Sequence, residues 1–312
     1  MSQYRERLPQ LGDRLFLTDG GLETTLVFHE GRDLPCFAAF TLLDTADGVA
    51  LLRDYYLRYL DIARARGLGF ILETPTWRAN SDWGAQLGYD AAALDAVNRR
   101  AVALLAELRT RYESPATPLV ISGNLGPRHD GYRADIRMRV ETARDYHRAQ
   151  IETFAATEAD MVSVLTLNYT EEAIGIVQAA RDCAMPVAVS FTVETDGRLP
   201  SGEPLGEAIE RTDAATDSHA AYYMLNCAHP EHFAHVLENT HGWAKRLRGL
   251  RANASRRSHA ELDGSTELDI GDPVELGHQY RGLRHQLPWL NVLGGCCGTD
   301  HRHVEAICSA CA

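Results

Sequence analysis

Gly69-Phe70-Ile71-Leu72-Glu73-Thr74 is a continuous apolar run closed by a carboxylate and a hydroxyl. Its shortness and its lack of alternation fit a strand buried on both faces, as in a parallel sheet covered by helices. Upstream, Val49, Leu52, Tyr56, Tyr59 and Ala63 recur at spacings of three and four, and downstream Leu94, Val97, Ala101, Leu104 and Leu108 do the same. Those spacings put each set on one face of a helix. The rest of the chain repeats the pattern. Apolar runs stand at Leu15–Asp19, Leu119–Gly123, Met161–Thr166, Val187–Phe191, Tyr222–Asn226, Leu247–Ala252 and Leu290–Gly294. Eight strand candidates, each followed by a helical one within 312 residues, predict a (β/α)8 TIM barrel forming a single domain over residues 1–312. A doubly wound open sheet has the same alternation and is the competing architecture.

In a barrel, the residues that end strands and the loops that follow them gather at one mouth. Two connections are long for such a fold: Val27–Thr45 after the first run, and the polar Asn253–Gly271 after the seventh. The second reads either as a lid or as a disordered segment.

Composition narrows the function. Lys and Arg number 31 against 43 Asp and Glu, a net charge of −12, so no basic face for nucleic acid is expected. The start of the chain has no apolar targeting core and no run approaches the length of a membrane span, so no membrane association and a cytoplasmic location are expected. Lys245 is the only lysine, and its setting fits neither a Schiff base nor a phosphate loop.

The chemistry-bearing residue type is cysteine. Gly294-Gly295-Cys296-Cys297-Gly298-Thr299 follows the eighth run, and Cys227 closes the sixth. In a barrel these lie at one end, and the glycines beside Cys296 and Cys297 allow both sulfurs to face one centre. Three thiolates with an open fourth position suit a catalytic zinc ion, Zn2+. The competing reading is that free cysteines are small buried hydrophobes, the expectation for Cys36 and Cys183. Cys308 and Cys311 have C-x-x-C spacing without a second pair, which reads as incidental. His229, His301 and His303 are further potential ligands; His301 and His303, two apart, do not share a helix face and read as solvated or capping residues.

These motifs resemble the homocysteine S-methyltransferase family, zinc-dependent thiol methyltransferases related to betaine–homocysteine methyltransferase. The likeness rests on Gly294–Thr299, Asn226-Cys227 and Asp19-Gly20-Gly21-Leu22-Glu23-Thr24-Thr25-Leu26, with Glu73-Thr74-Pro75-Thr76-Trp77 and Gly123–Pro127 beside them. It implies a barrel holding zinc through Cys227, Cys296 and Cys297, which also act as the catalytic residues. It implies a small thiol acceptor and a small cationic methyl donor as partners, the acceptor being homocysteine or a related thiol in methionine biosynthesis. It further implies substrate contacts from Asp19, Gly20, Gly21, Glu73, Thr76 and Asn226. Asp19 also fits a turn residue, and Asn226 an organiser of its own loop. Trp77, Tyr55, Tyr56 and Tyr169 are available to cage a cation, or to fill core. The chain departs from the family at Leu165, which stands where the resemblance implies a carboxylate facing the acceptor's ammonium group. That loss predicts a preference for a thiol without a free amino group. The alternative to methyl transfer is a barrel that binds zinc or a thiol and does not catalyse.

Overall fold

The computed structural model describes residues 2–238 and 242–312. Eight parallel strands close into a barrel in sequence order. They are β1 (Phe16–Leu17), β2 (Gly69–Glu73), β3 (Leu119–Leu125), β4 (Met161–Leu167), β5 (Val187–Phe191), β6 (Tyr222–Asn226), β7 (Leu247–Ala252) and β8 (Val292–Gly295). The ring closes where Phe16 and Leu17 of β1 pair with Val292 and Leu293 of β8. The open sheet is thereby excluded.

Among the described residues, the longer helices that pack outside are α1 (Ala46–Arg66), α2 (Ala91–Tyr112), α3 (Val140–Ala155), α4 (Thr170–Asp182), α5 (Leu205–Thr216), α6 (Pro230–Leu237), α7 (Pro273–Gln286) and α8 (His301–Cys311). Their ends follow local chemistry. Thr45 caps α1 by accepting from the Gly48 amide, and Gly67 stops the helix in the left-handed region at φ 62°. Asp90 caps α2 in the same manner. No helix among the described residues is long and apolar enough to cross a membrane.

Alternation along the strands divides the apolar residues into two sets. Phe16, Ile71, Val120, Met161, Ala188, Tyr222, Met224 and Val292 pack inside the barrel, with Leu165 near its mouth. Leu17, Phe70, Leu72, Ile121, Val162, Val189, Leu225 and Leu293 face the helices.

The N-terminal segment corks the end opposite the mouth. The Gln3 and Tyr4 amides both donate to Asp160 Oδ1, at 2.7 and 2.8 Å, and Leu8 joins the inner core. Asp160 is fully buried; its other oxygen accepts from Arg109 Nη1 at 2.6 Å and from the Ile121 amide at 2.9 Å. Removing one member of such a pair strands a buried charge. Arg109→Ala is therefore expected to lower unfolding free energy by about 3–5 kcal/mol, measured by denaturant titration.

Candidate active site

Cys227, Cys296 and Cys297 converge, with their sulfurs all within 4.8 Å of one another. Tetrahedral sulfur ligands at about 2.3 Å from one ion stand about 3.8 Å apart, so this cluster is of a size to hold a metal. Two backbone features place it. The Cys296 amide donates to the Ala252 carbonyl and the Ala254 amide to the Cys297 carbonyl, fastening the cysteine turn to the end of β7. Cys227 sits in the left-handed region at φ 55°, which turns its sulfur back toward the mouth. That conformation is held by Asn253 Nδ2 and His259 Nε2, which reach the Cys227 carbonyl at 3.0 and 2.5 Å. Thr166, at the irregular end of β4, is also left-handed at φ 66°, and its hydroxyl donates to Cys227 Sγ at 3.7 Å. Backbone strain of this kind persists only where the surroundings enforce it.

The turn after β1 and the turn after β8 are packed backbone to backbone. A Cβ on Gly21 would lie 2.6 Å from the Cys296 carbonyl oxygen, and one on Gly294 would lie 2.8 Å from that of Asp19. For Gly294 the sequence suggests freedom beside the cysteines; for both glycines the structural reason is close approach across the barrel seam. Arg251 on β7 ties the seam together. It is buried, and its Nη2 donates to Asp19 Oδ1 at 2.6 Å and its Nε to the Gly295 carbonyl at 3.3 Å. Tyr55 from α1 donates to the other Asp19 oxygen at 2.9 Å. Sequence reading did not single out Arg251.

Above the sulfurs lies a cavity of about 620 Å³. Asp19, Gly20, Gly21, Glu73 and Asn226 line it, as does Leu165; Thr76 is not brought to its wall. Thr76 is wholly buried and donates to the Asn124 carbonyl at 2.7 Å. Asn226 is an organiser: its Oδ1 accepts from the Thr166 amide and the Ser190 hydroxyl, and its Nδ2 donates to Thr166 Oγ1 at 2.8 Å and points at Cys296 Sγ at 3.9 Å. Both long connections contribute walls, Phe28, Leu34 and Phe37 from the first and His259, Leu262 and Asp269 from the second. The second is ordered around a short helix, His259–Asp263, with Ser258 and Glu261 forming a capping box.

Of the aromatic candidates, only Trp77 reaches the cavity. Tyr56 donates to the Glu73 carbonyl at 2.7 Å, and the Tyr169 hydroxyl accepts from the Met138 amide at 3.1 Å. Tyr132 was missed: its hydroxyl lies 3.8 Å from Cys297 Sγ and its ring tilts on His259 at 4.3 Å. Arg78, stacked between Trp77 and Trp83 at about 4 Å from each ring centre, was missed as well. His229 is turned away to accept from the Glu231 amide, so it does not complete the cysteine group; His303 caps α8 with Asp300, as its spacing suggested. Cys36 departs from the expected burial, being exposed at φ 56° on the cavity rim.

Electrostatics follow from burial. Without a metal, Cys227 is the readily ionised member, because the Cys296 and Cys297 thiols donate to it; its charge holds the other two protonated. Desolvation pushes Glu73 up to about 7, even though Ser163 donates to its Oε2 at 2.5 Å. It pushes Glu23, another residue of the cavity wall, up to about 7 as well. A carboxyl raised in the folded state binds more protons there than in the unfolded chain, so stability falls as pH rises from about 4.5 to about 7. Glu73→Gln is expected to flatten that fall, read from the pH dependence of denaturant midpoints in metal-free protein. Cys227→Ala, Cys296→Ala and Cys297→Ala are each expected to abolish binding of a soft divalent ion, while Cys308→Ala, buried in the helix-facing core apart from the trio, retains it; elemental analysis of the purified variants decides.

Comparison with known proteins bears on the family and the fold. The family model for homocysteine S-methyltransferase matches residues 16–311. The chain is similar to homocysteine S-methyltransferase of Escherichia coli (strain K12), 25% identical over 307 residues and covering 94% of each protein. It is also similar to selenocysteine Se-methyltransferase of Brassica oleracea var. italica, 23% identical, covering 97% of this chain and 90% of that protein. Among solved structures, the metallated form of the homocysteine methyltransferase MmuM from Escherichia coli superposes with a TM-score of 0.73, at 22% identity and 96% coverage of both chains. The oxidized form gives 0.76, with 97% of both chains covered. The chain thus belongs to the homocysteine S-methyltransferase family and is a methyltransferase.

Proposed function

We propose that this enzyme moves a methyl group from a small cationic donor to the sulfur of a small thiol, homocysteine or a relative of it, with zinc held by Cys227, Cys296 and Cys297. The observation that carries the reading is the convergence of three cysteine sulfurs on the floor of one cavity. A zinc ion on this trio would supply a Lewis acid that strips the proton from an incoming thiol near neutral pH. The names of the relatives support a thiol or selenol acceptor, and the metallated neighbour supports a metal. The soft, all-sulfur donor set favours zinc over magnesium or calcium.

The protein's own residues position rather than exchange protons. Asn226 and Thr166 hold Cys227 and Cys296 through the hydrogen bonds from β4 and β6. Asp19, Gly20, Gly21 and Glu73 form the wall against which the acceptor lies. Trp77, Tyr132, Phe28 and Phe37 give the donor an aromatic and apolar lining that attracts a cation and keeps water from the transfer path. In-line attack by sulfur on the donor methyl needs alignment above all.

The test is a grid of thiols against sulfonium and quaternary ammonium donors with zinc-loaded protein, read by mass of the methylated product. Methylation of at least one thiol is expected, falling by about three orders of magnitude in Cys296→Ala, the several kcal/mol a Lewis acid supplies. Thiol binding without any methylated product would instead establish the non-catalytic reading.

A further inference from the structure

Glu23 stands apart from every other acid of the cavity wall. It lies in the first helical turn after β1, two residues beyond Gly21, whose packing on the Cys296 carbonyl sets this turn beside the sulfur floor. The other acids are occupied or solvated. Asp19 is paired with Arg251 and Tyr55. Glu73 accepts from Ser163. Asp269 accepts from Ser255 and the Gly271 amide, and Asp130 from the Tyr132 amide, while Glu267 is exposed. Glu23 is partly buried, and among the described residues its carboxylate has no side-chain partner; its own backbone amide alone lies within reach.

The cations of the wall act on it through space only and form no hydrogen bond or ion pair with it. Arg251 spends its Nε and Nη2 on Asp19 and the carbonyls of Gly20 and Gly295, while its buried Nη1 bonds no protein group. Arg78 is held between two tryptophans and donates to the His129 carbonyl. At the same mouth, β4 presents the apolar Leu165. A desolvated carboxylate without a partner is unfavourable, and a cation brought by a ligand relieves it. Burial pushes the group up to about 7, the direction such an unpaired site produces.

We propose that Glu23 is the counter-charge for an organic cation on a substrate of this cavity, either the ammonium of an amino-acid thiol or the onium centre of the methyl donor. The assignment rests on the methyl-transfer reading above and replaces the expectation drawn from Leu165 alone. In the first case the anionic contact missing from β4 is supplied from the turn after β1, and an amino-bearing thiol remains a fitting acceptor.

The experiment compares the zinc-loaded protein with Glu23→Gln and Glu23→Asp. Binding of homocysteine and of 4-mercaptobutyrate, which has the same chain without the amino group, is measured by calorimetry in the absence of donor. The KM of a sulfonium donor that carries no ammonium is measured separately. If the acceptor's ammonium meets Glu23, Glu23→Gln weakens homocysteine by about 30-fold or more, leaves 4-mercaptobutyrate unchanged, and Glu23→Asp restores part of the loss. If the donor's onium centre meets it, the donor KM rises by a similar factor and both thiols bind as before. Equal losses for all ligands, or none, overturn the assignment, with metal content and melting temperature confirming that the variants are folded. If the unmodified protein binds and methylates a thiol while Glu23→Gln matches it, the Glu23 assignment alone fails. If it methylates none, the methyl-transfer reading fails first.

Discussion

The contact on which the site depends is the approach of Asp19-Gly20-Gly21 to Gly294-Gly295-Cys296. The Gly295 amide donates to the Asp19 carbonyl, and the Gly21 amide to the Thr299 carbonyl. This contact closes the barrel and, at the same time, sets one sulfur of the trio. Any side chain at Gly21 or Gly294 would push the two turns apart, because behind the nearest Thr24 and Thr18 hydroxyls stand the Cys296 and Asp19 backbone oxygens, which have no rotamer to yield. Arg251, near the end of β7, then joins the turn after β1 to the end of β8 through a single guanidinium. A planar donor with five hydrogens suits that geometry, and lysine would not span it.

The second sulfur position is held by a different means. Cys227 and Thr166 both carry side chains in a backbone region that disfavours them, and a β-branched residue there is rare. Neither has a glycine's latitude. Asn226 relieves the cost by bonding the Thr166 amide and hydroxyl at once, while His259 and Asn253 fix the Cys227 carbonyl. The trio thus combines a stiff pair on a tightly packed turn with a third sulfur on a strained but well-bonded strand end. Preorganisation of this sort reduces what must be reordered when a metal or substrate arrives.

The sequence made the barrel legible because parallel strands buried on both faces leave continuous apolar runs, and β5, β6 and β7 have the limits those runs suggest. β1 is shorter than Leu15–Asp19 because Thr18 and Asp19 turn into the seam. β8 starts later than Leu290 because Asn291 is spent on the carbonyls of Gln10, Gly12 and Arg14. The cysteine trio was legible because few residue types bind soft metals. Arg251, Tyr132, His259, Arg78 and Glu23 were not, since their roles come from distances across turns far apart in the chain. Thr76 shows the converse: a residue inside a recognisable motif whose hydroxyl serves the loop and not the cavity. Tyr55 and Tyr56, open to either reading, turned out to be supports for Asp19 and for the β2 backbone.

The cork and the seam have a bearing on how the chain acquires its site. Gly21 meets Thr299 across 278 residues, Asp19 meets Arg251 across 232, and Asn291 meets Gln10 across 281. Contacts so distant in sequence form late, after the loop entropy of nearly the whole polypeptide has been overcome. During ribosomal synthesis the open ring from β1 through β7 must wait, its two edge strands bare, until β8 emerges with Cys296 and Cys297. The three sulfurs therefore come together only as the fold is completed. Partly made chains hold Cys227 without its companions, with unpaired strand edges available for misassociation, and this is the stage at which chaperones have most to protect.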